Sequence, residues 1–489
     1  MTTIATSEQA VVDAVHKQLY IGGEWRGATG GEAFPVEDPS TGEPLCQVAD
    51  ATPDDAMAAL DAACGAQHEW ARHPPRERGE ILRRAFEEIV SRADELALLM
   101  TLEMGKPVAD SKSEIIYAAE FFRWYAEEAV RIEGRYALAG NAQSRVLTMK
   151  QPVGPCLMIT PWNFPLAMGT RKIGPAVAAG CTMVIKPAQL TPLSMLALAD
   201  ILDRAGLPSG VLNIVTSSTS GDVTAPLISD HRLRKLSFTG STGVGKRLME
   251  QASENLLRLS MELGGNAPFL VFDDADVDTA VAGAMVAKMR NIGEACTAAN
   301  RFHVAAPLAD RFTEKLAESM GALKIARGTE EGAQVGPLVS SDQQQKVAEL
   351  VEEALGRGAT AVVGGSRVDG AGYFYQPTVL GGVPESAELR QEEIFGPVAP
   401  VFSFDSEEEA IVAANDTEYG LVAYVFTKDL GRAFRVMEGL DTGMIGLNQG
   451  KVSNAAAPFG GVKHSGFGRE GGHEGIEEYL ETKYVAMSL

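Results

Sequence analysis

From Gly154 onward, short apolar runs alternate with stretches of helical character, and this alternation constrains the fold more than any other feature. The first set of runs lies at 157–159, 182–185, 211–215 and 236–238. The second set lies at 269–272, 302–304, 361–363 and 422–427. Short apolar strands separated by helices are typical of parallel sheets with crossover helices. The sequence therefore predicts two α/β units, and 489 residues suit about three domain-sized units.

The segment before these units is predicted to be mostly helical. A hairpin is expected at 19–25, and amphipathic surface helices are expected at 51–70 and 76–104. A longer helix is expected at 110–133, with Gly134 as its stop because glycine adopts the left-handed capping conformation at low cost. Its aromatic residues are interpreted as core packing and not as a ligand site: Tyr117, Phe121, Phe122, Trp124 and Tyr125.

Two runs after Gly134, at 135–138 and 145–149, predict a two-stranded arm. The segment 483–487 near the C-terminus is a plausible partner strand. Exposed strand edges of this kind invite pairing with a second subunit.

Composition excludes several classes of partner and site. The formal net charge of -22 argues against nucleic acid or an anionic membrane surface. Five cysteines without metal-ligand spacing favour neither a disulfide framework nor a zinc site. Residues 1–17 lack the pattern of a signal peptide, and prolines interrupt the charge-poor run 151–170, so we expect a cytoplasmic protein.

Two short segments that contain glycine carry the candidate catalytic residues. Cys296 lies in Asn291-Ile292-Gly293-Glu294-Ala295-Cys296, and Glu262 lies in Met261-Glu262-Leu263-Gly264-Gly265. A thiol and a carboxylate, each at a break in the chain, could supply a nucleophile and a general base.

In these two segments the chain resembles the aldehyde dehydrogenase superfamily, in which an E-L-G-G segment carries the general base and an N-x-G-x-x-C segment carries the nucleophile. The resemblance covers nearly the whole chain. It implies that Cys296 is the nucleophile, Glu262 the base, and Asn163 the oxyanion donor together with the Cys296 backbone N–H. Such a contact contributes roughly 3 kcal/mol in the transition state. Asn163 follows a strand and is expected to open a helix, with Pro165 in its first turn.

The same resemblance implies the domain organisation. A Rossmann-type cofactor domain is expected at 1–133 and 153–261, and an α/β catalytic domain at 262–472. A β oligomerisation arm is expected at 134–152 and 473–489, which would build a homodimer or a homotetramer.

The resemblance further implies NADP or NAD as the cofactor. Lys186 at a strand end can reach ribose or phosphate. Gln189 stands where the family commonly has Glu, and a neutral amide removes repulsion against a 2′-phosphate, so NADP becomes acceptable. Glu393 is expected at the nicotinamide ribose and Phe395 at the nicotinamide side. Gly240 and Ser241 lie in a predicted strand–turn–helix segment, in which the helix N-terminus can face a phosphate. All the other expected cofactor contacts are Thr160, Trp162, Ala188, Gly240, Ser241 and Leu263. No metal is expected.

Arg171, Arg290 and Ser453 match positions that bind the substrate carboxylate in the succinate-semialdehyde dehydrogenase branch. This implies oxidation of succinate semialdehyde to succinate through a cysteine thioester. Glutarate or 2-oxoglutarate semialdehyde, or a plain aliphatic aldehyde, remain alternatives. A non-catalytic member of the fold and a CoA-acylating enzyme are further alternatives, against which intact Cys296, Glu262 and Asn163 argue.

Two positions depart from the family pattern. Glu294 stands where the family often has Gln, which adds a carboxylate of unknown effect to the nucleophile loop. Ala298 stands where some semialdehyde-oxidising relatives have a second cysteine, so their redox switch is not expected here.

Overall fold

The computed structural model describes residues 6–488. The first five residues of the predicted cofactor domain and of the segment inspected for a signal peptide lie outside the described residues, as does the last residue of the predicted arm. Within 6–488, no helix is long and apolar enough to cross a membrane.

The described chain alternates strands with helices in the order that the apolar runs predict. The strands are β1 (Leu19–Ile21), β2 (Glu24–Arg26), β3 (Ala33–Asp38), β4 (Glu43–Ala49), β5 (Arg135–Leu138), β6 (Arg145–Pro152), β7 (Cys156–Ile159), β8 (Met183–Lys186), β9 (Leu212–Ile214), β10 (Lys235–Thr239), β11 (Arg258–Glu262), β12 (Ala267–Val271), β13 (Ala299–Ala305), β14 (Thr360–Val363), β15 (Thr378–Gly381), β16 (Val398–Phe404), β17 (Val422–Phe426), β18 (Met444–Leu447), β19 (Gly466–Phe467) and β20 (Leu480–Met487). The helices are α1 (Thr6–Ala14), α2 (Pro53–Trp70), α3 (Pro75–Ser91), α4 (Ala93–Met104), α5 (Val108–Glu128), α6 (Ala167–Ala179), α7 (Leu193–Arg204), α8 (Ser220–Ser229), α9 (Thr242–Ala252), α10 (Val277–Met289), α11 (Ala306–Gly321), α12 (Ser341–Gly356), α13 (Glu407–Asn415), α14 (Leu430–Gly439) and α15 (Glu474–Glu477).

The first large sheet has the strand order β19-β11-β10-β7-β8-β9-β1-β2. Its five central strands, from β11 to β9, are parallel, whereas the predicted hairpin β1–β2 and the short β19 add antiparallel edges. Strands β7, β8 and β10 are almost entirely buried, as expected for a parallel sheet with helices on both faces. The prediction of a Rossmann-type α/β unit is confirmed.

The second large sheet has the order β14-β15-β16-β13-β12-β17-β18 and is parallel except at the edge strand β14. An aromatic cluster around Phe269 fills its core, with Phe302 at 5.2 Å and Phe426 at 4.8 Å between ring centroids. The second predicted α/β unit is therefore confirmed as well.

The predicted arm is a separate three-stranded antiparallel sheet, β20-β6-β5. Lys483 pairs with Met149 and Arg135 pairs with Thr148, so the C-terminal strand lies beside the second arm strand as expected. Tyr136 and Tyr484 are 61% exposed on this sheet, which is unusual for large rings in a single chain.

Three details of the helical predictions were wrong. The segment 76–104 is two helices, which meet at Arg92, and nearly all of α4 is buried instead of lying on the surface. Helix α5 ends at Glu128, six residues before Gly134. Gly134 does not cap it but begins the arm, where a Cβ would lie 2.1 Å from the Thr148 carbonyl oxygen. Helix α6 begins at Ala167, so Pro165 precedes its first turn.

Candidate active site

One cavity between the two large sheets brings the three candidate catalytic residues together. Glu262 is the last residue of β11, and Asn163 follows β7 in the same sheet. Cys296 lies between α10 and β13 of the other sheet. All three side chains line the cavity. Because the carboxyl ends of parallel strands share one edge, residues far apart in sequence converge here.

The nucleophile loop is held in a backbone conformation that only a few residues adopt. Asn291, Ile292 and Gly293 have φ values of 54°, 61° and 79°. The Asn291 side-chain amide donates to the carbonyl oxygens of Glu294 at 2.8 Å and Asn163 at 3.1 Å. These bonds fasten the loop to the strand end that carries Asn163, and strain of this kind is common at functional sites.

The double glycine after Glu262 allows two other segments to approach. A Cβ on Gly265 would lie 2.4 Å from the Cys296 carbonyl oxygen. A Cβ on Gly264 would lie 2.9 Å from a carboxylate oxygen of Glu393. Glycine is therefore required at both positions for close packing of backbone against backbone and against Glu393.

The Asn163 amide is fixed and points one donor at the nucleophile loop. Its Nδ2 donates to the Glu294 carbonyl oxygen at 3.0 Å. Its own carbonyl accepts from Lys106 Nζ at 2.8 Å, so backbone and side chain are both tethered. The amide has a second hydrogen, which this bond does not use.

The Glu262 carboxylate is buried and incompletely satisfied. Among the described residues, its Oε2 has no hydrogen-bond partner. Burial and the charge of Glu470 raise the pKa of Glu262 well above its ordinary value, and Arg171 and Lys172 oppose the shift. A buried polar atom left without a partner is costly, so it marks a place where a reacting molecule can complete the bonding.

The Cys296 thiol is half-buried, and this environment disfavours its ionisation. Burial raises its pKa to about 12, while the positive charge of Arg171 works in the opposite direction. The thiol is therefore protonated at neutral pH, and its activation requires a proton acceptor.

Glu294, the unusual residue of the loop, faces away from the cavity. It is fully buried, and its Oε1 accepts from the Val339 backbone N–H at 3.1 Å. Burial raises its pKa well above the ordinary value. Its carboxyl links the nucleophile loop to the segment before α12.

Arg171 lies in the cavity wall, in an ion pair that the sequence did not reveal. Its partner is Glu470, which also binds Lys172 Nζ at 2.5 Å. Burial opposes ionisation of Glu470, but the charges of Arg171 and Lys172 outweigh it and hold its pKa below the ordinary value. The Arg171 guanidinium lies 4.2 Å from the ring centroid of Phe459, and its Nη2 has no hydrogen-bond partner among residues 6–488.

Arg290 and Ser453 also line the cavity and contact each other. Arg290 Nη1 donates to Ser453 Oγ at 2.9 Å. The guanidinium lies over the rings of Phe164 at 4.9 Å and Tyr117 at 5.7 Å. Tyr117 was interpreted as core packing, which was wrong because it forms part of the cavity wall. Phe121, Phe122 and Tyr125 of the same helix are fully buried in the core, as predicted.

The other end of the cavity contains most of the predicted cofactor contacts: Trp162, Gly240, Ser241, Leu263, Glu393 and Phe395. Glu393 Oε1 accepts from the Gly265 N–H at 2.9 Å, and burial raises its pKa to about 7. Two residues that the sequence reasoning missed hold this segment from α12. Gln343 donates to the Phe395 carbonyl and Lys346 to the Glu393 carbonyl, each at 2.7 Å.

Four predicted cofactor residues lie outside this cavity: Thr160, Lys186, Ala188 and Gln189. They are still adjacent to it along the sheet edge, since the Thr160 N–H donates to the Lys186 carbonyl at 3.2 Å. Lys186 Nζ binds Ser220 Oγ at the start of α8, and burial lowers the pKa of this lysine to about 8. The Gln189 side chain is exposed.

The strand end at Thr239 fits a phosphate-bearing cofactor. Thr239 Oγ1 is buried without a hydrogen-bond partner among the described residues, and Gly240 and Ser241 precede the N-terminus of α9. Backbone N–H groups at a helix N-terminus attract anions. An unpaired hydroxyl at such a position suits a polar ligand rather than apolar packing.

With two α/β sheets and a thiol, a carboxylate and an amide around one cavity, the protein has the fold and site of an α/β enzyme. The model of the aldehyde dehydrogenase family matches residues 25–485, and the chain belongs to this family.

The named relatives support this family assignment. The chain is 59% identical over 444 residues to a succinate-semialdehyde dehydrogenase of Paenarthrobacter nicotinovorans, covering 91% of this chain and 99% of the relative. It is 49% identical over 473 residues to a glutarate-semialdehyde dehydrogenase of Pseudomonas putida, covering 97% and 98%. A solved structure described as an E. coli NADP dependent enzyme superposes with a TM-score of 0.96 at 50% identity, covering 98% of this chain and 99% of that one.

Proposed function

We propose that this enzyme oxidises succinate semialdehyde to succinate with NADP or NAD. The observation that carries the proposal is the presence of Arg290, Ser453 and Arg171 in the wall of the cavity that contains Cys296. Charge-assisted bonds from arginine are the usual way to hold a carboxylate, and a plain aliphatic aldehyde has no charged group to accept such bonds. The named relatives act on four- and five-carbon semialdehydes of this kind, and the higher identity favours the succinate compound.

In the proposed mechanism, Cys296 attacks the aldehyde carbon after losing its proton. The oxygen of the resulting tetrahedral adduct becomes negatively charged, and in this proposal it accepts from the second hydrogen of the Asn163 amide and from the Cys296 backbone N–H. A nicotinamide cofactor bound beside Phe395 and Glu393 supplies the hydride acceptor. The product on the protein is a Cys296 thioester.

Glu262 then acts as the general base that activates water to hydrolyse the thioester. A raised pKa suits this role because a stronger base accepts a proton more readily, provided that it is ionised at the working pH. After burial, the charge of Glu470 raises the pKa of Glu262, and the charges of Arg171 and Lys172 lower it. Hydrolysis also argues against the CoA-acylating alternative, in which a thiol and not water releases the acyl group.

We further assign the cofactor domain to residues 1–133 and 153–261, the catalytic domain to 262–472 and the arm to 134–152 and 473–489. The separate sheet β20-β6-β5 and its exposed Tyr136 and Tyr484 support pairing of the arm with a second subunit, giving a dimer or a tetramer. We also propose a cytoplasmic location, which the acidic composition supports.

A panel of aldehydes assayed with NAD and with NADP tests the function. We expect kcat/KM for succinate semialdehyde to exceed that for butyraldehyde by at least about a hundredfold, since one charge-assisted hydrogen bond contributes about 1.5–3 kcal/mol and more than one is available. Glutarate semialdehyde is the matched competitor with one more methylene. Equal efficiency on butyraldehyde would contradict the proposal, and higher efficiency on glutarate semialdehyde would replace the substrate.

A further inference from the structure

The loop at 450–456 forms one side of the active-site cavity, and it carries an additional cation, Lys451. Gly450 packs directly on α10, where a Cβ would lie 2.0 Å from the Gly283 carbonyl oxygen. Helix α10 leads into Arg290. Because backbone rests on backbone here, Lys451 has a fixed position relative to Arg290.

Lys451 lies where two outer spaces adjoin the active-site cavity. A groove between α5 and this loop shares Tyr117 and Ser453 with the cavity, and Lys451 lines the groove. A second hollow shares Phe164 and Arg290 with the cavity, and Lys451 lines it too. Lys451 therefore lines both outer spaces that adjoin the part of the cavity with Arg290 and Ser453.

Lys451 differs from the other cations of the groove in having no compensating carboxylate. Lys112 is paired with Asp94 and Arg123 with Glu120, each at 2.5 Å. Within residues 6–488, Lys451 has no ion-pair partner within 4.0 Å, and its side chain is exposed. Burial lowers the pKa of Lys451, and the positive charge of Arg290 lowers it further. Asp110 in the second hollow is the acidic group that interacts with Arg290.

We propose that Lys451 is a specificity-determining residue that draws aldehydes bearing a carboxylate into the cavity and passes that carboxylate to Arg290 and Ser453. The inference rests on the proposed function, since it concerns the entry of the same substrate. A chain with a net charge of -22 repels small anions at long range, so an uncompensated cation at the entrance raises their local concentration.

The test compares Lys451→Met with Lys112→Met, a matched control that removes a paired lysine from the same groove. We would measure kcat and KM for succinate semialdehyde and butyraldehyde at about 20 mM and about 500 mM salt, because salt screens steering between exposed charges. Lys451→Met is expected to lower kcat/KM for the semialdehyde roughly three- to tenfold at low salt, mainly through KM, and less at high salt. Butyraldehyde kinetics, and both substrates with Lys112→Met, are expected to change less than about twofold.

Equal losses on the two aldehydes, equal losses for the two lysine variants, or no loss at low salt would overturn the inference. These outcomes differ from failure of the proposed function, which would appear in the unmodified enzyme as the lack of preference for succinate semialdehyde over butyraldehyde. An unchanged ratio of the two kcat/KM values in Lys451→Met at low salt would leave the function in place and remove the role of Lys451 alone.

Discussion

Two buried carboxyl groups, Glu103 in the helical core and Glu262 in the cavity, have similar burial and opposite surroundings. Glu103 accepts from the Leu193 N–H at 2.7 Å and the Ser194 N–H at 2.9 Å, and also binds the Ser194 hydroxyl. It thereby accepts hydrogen bonds from backbone N–H groups in the first turn of α7. Glu262 leaves one oxygen without a partner among the described residues. Burial raises the pKa of both, to about 7 for Glu103.

The difference distinguishes a structural carboxyl from a reactive one. In the core, local donors complete the hydrogen bonds of the buried group, and their loss would cost folding free energy. In the cavity shared with Cys296, Glu262 Oε2 has no hydrogen-bond partner among the described residues, and a substrate or a water molecule can donate a hydrogen bond to it. Burial and a raised pKa alone do not separate the two cases. An unpaired oxygen is informative only where it lines the cavity, since Glu294 Oε2 is also without a partner among the described residues but Glu294 lies outside the cavity.

The largest effect is expected when the two carboxyls are changed to amides. Glu262→Gln should lower steady-state kcat by roughly 10²- to 10⁴-fold because the base is lost, with little change in stability. Glu103→Gln should keep kcat within about threefold but cost about 1–3 kcal/mol of unfolding free energy, since an amide cannot accept from all of its donors. Turnover assays and denaturant unfolding of both variants measure the two quantities. The distinction fails if both variants lose activity, or both lose stability, to the same extent.

The two arginines of the cavity extend the same comparison. Arg171 is buried in a pair with Glu470, whereas Arg290 is half-buried, donates a hydrogen bond to Ser453 and lies over aromatic rings. Each change to alanine should lower kcat/KM for succinate semialdehyde roughly ten- to a hundredfold and affect butyraldehyde much less.

Stability separates the two arginine variants. Arg171→Ala leaves Glu470 with Lys172 as its ion-pair partner and should cost about 3–5 kcal/mol, whereas Arg290→Ala should cost less than about 1 kcal/mol. Equal kinetic losses on the two aldehydes would show that these arginines support the fold and do not hold a carboxylate.

The pH dependence is expected to be smaller but informative about Glu262. Its pKa is raised, so its carboxylate form increases as pH rises through that pKa, and the Cys296 thiolate with a pKa of about 12 also increases with pH. Both effects have the same sign, so kcat/KM should increase by at least about tenfold between about pH 6 and 9. A pH–rate profile of the unmodified enzyme and of Glu262→Gln checks this, and a profile that falls with rising pH would exclude both groups as the base and nucleophile.

The smallest effect is expected at the edge of the cofactor site. Gln189 is exposed near Lys186, so Gln189→Glu should shift the ratio of NADP to NAD efficiency toward NAD by about tenfold, or ~1.4 kcal/mol. Gln189→Met is the matched control, because it removes the amide without adding charge. An unchanged ratio in Gln189→Glu would remove this position from the cofactor assignment.

The sequence predicted the two α/β sheets, the arm and its partner strand because strand runs and their spacing are local signals. The resemblance to the family also assigned the segments around Cys296 and Glu262 to one predicted site. The boundaries of the N-terminal helices were less predictable, since Gly134 is required by a contact with Thr148 and not by a helix end.

The environment of the site residues could not be predicted, because it depends on contacts distant in sequence. Glu470 lies almost three hundred residues from Arg171, and no local pattern indicates that they pair. Tyr117 is indistinguishable by spacing from its buried neighbours on α5, and only the position of the helix beside the cavity sets it apart. The raised pKa of Glu294 follows from its burial, and its contact with the Val339 N–H is distant in sequence, so the sequence shows neither.

The central claim, that Cys296 forms a thioester which Glu262 hydrolyses, is tested most directly by rapid mixing of Glu262→Gln with succinate semialdehyde and NADP. We predict a burst of reduced cofactor close to one equivalent per active site, followed by almost no turnover, and acylated Cys296 detectable by mass spectrometry of the quenched protein. Cys296→Ala, as the control, should show neither burst nor adduct. Full steady-state turnover of Glu262→Gln, or a burst without any adduct on Cys296, would contradict the claim.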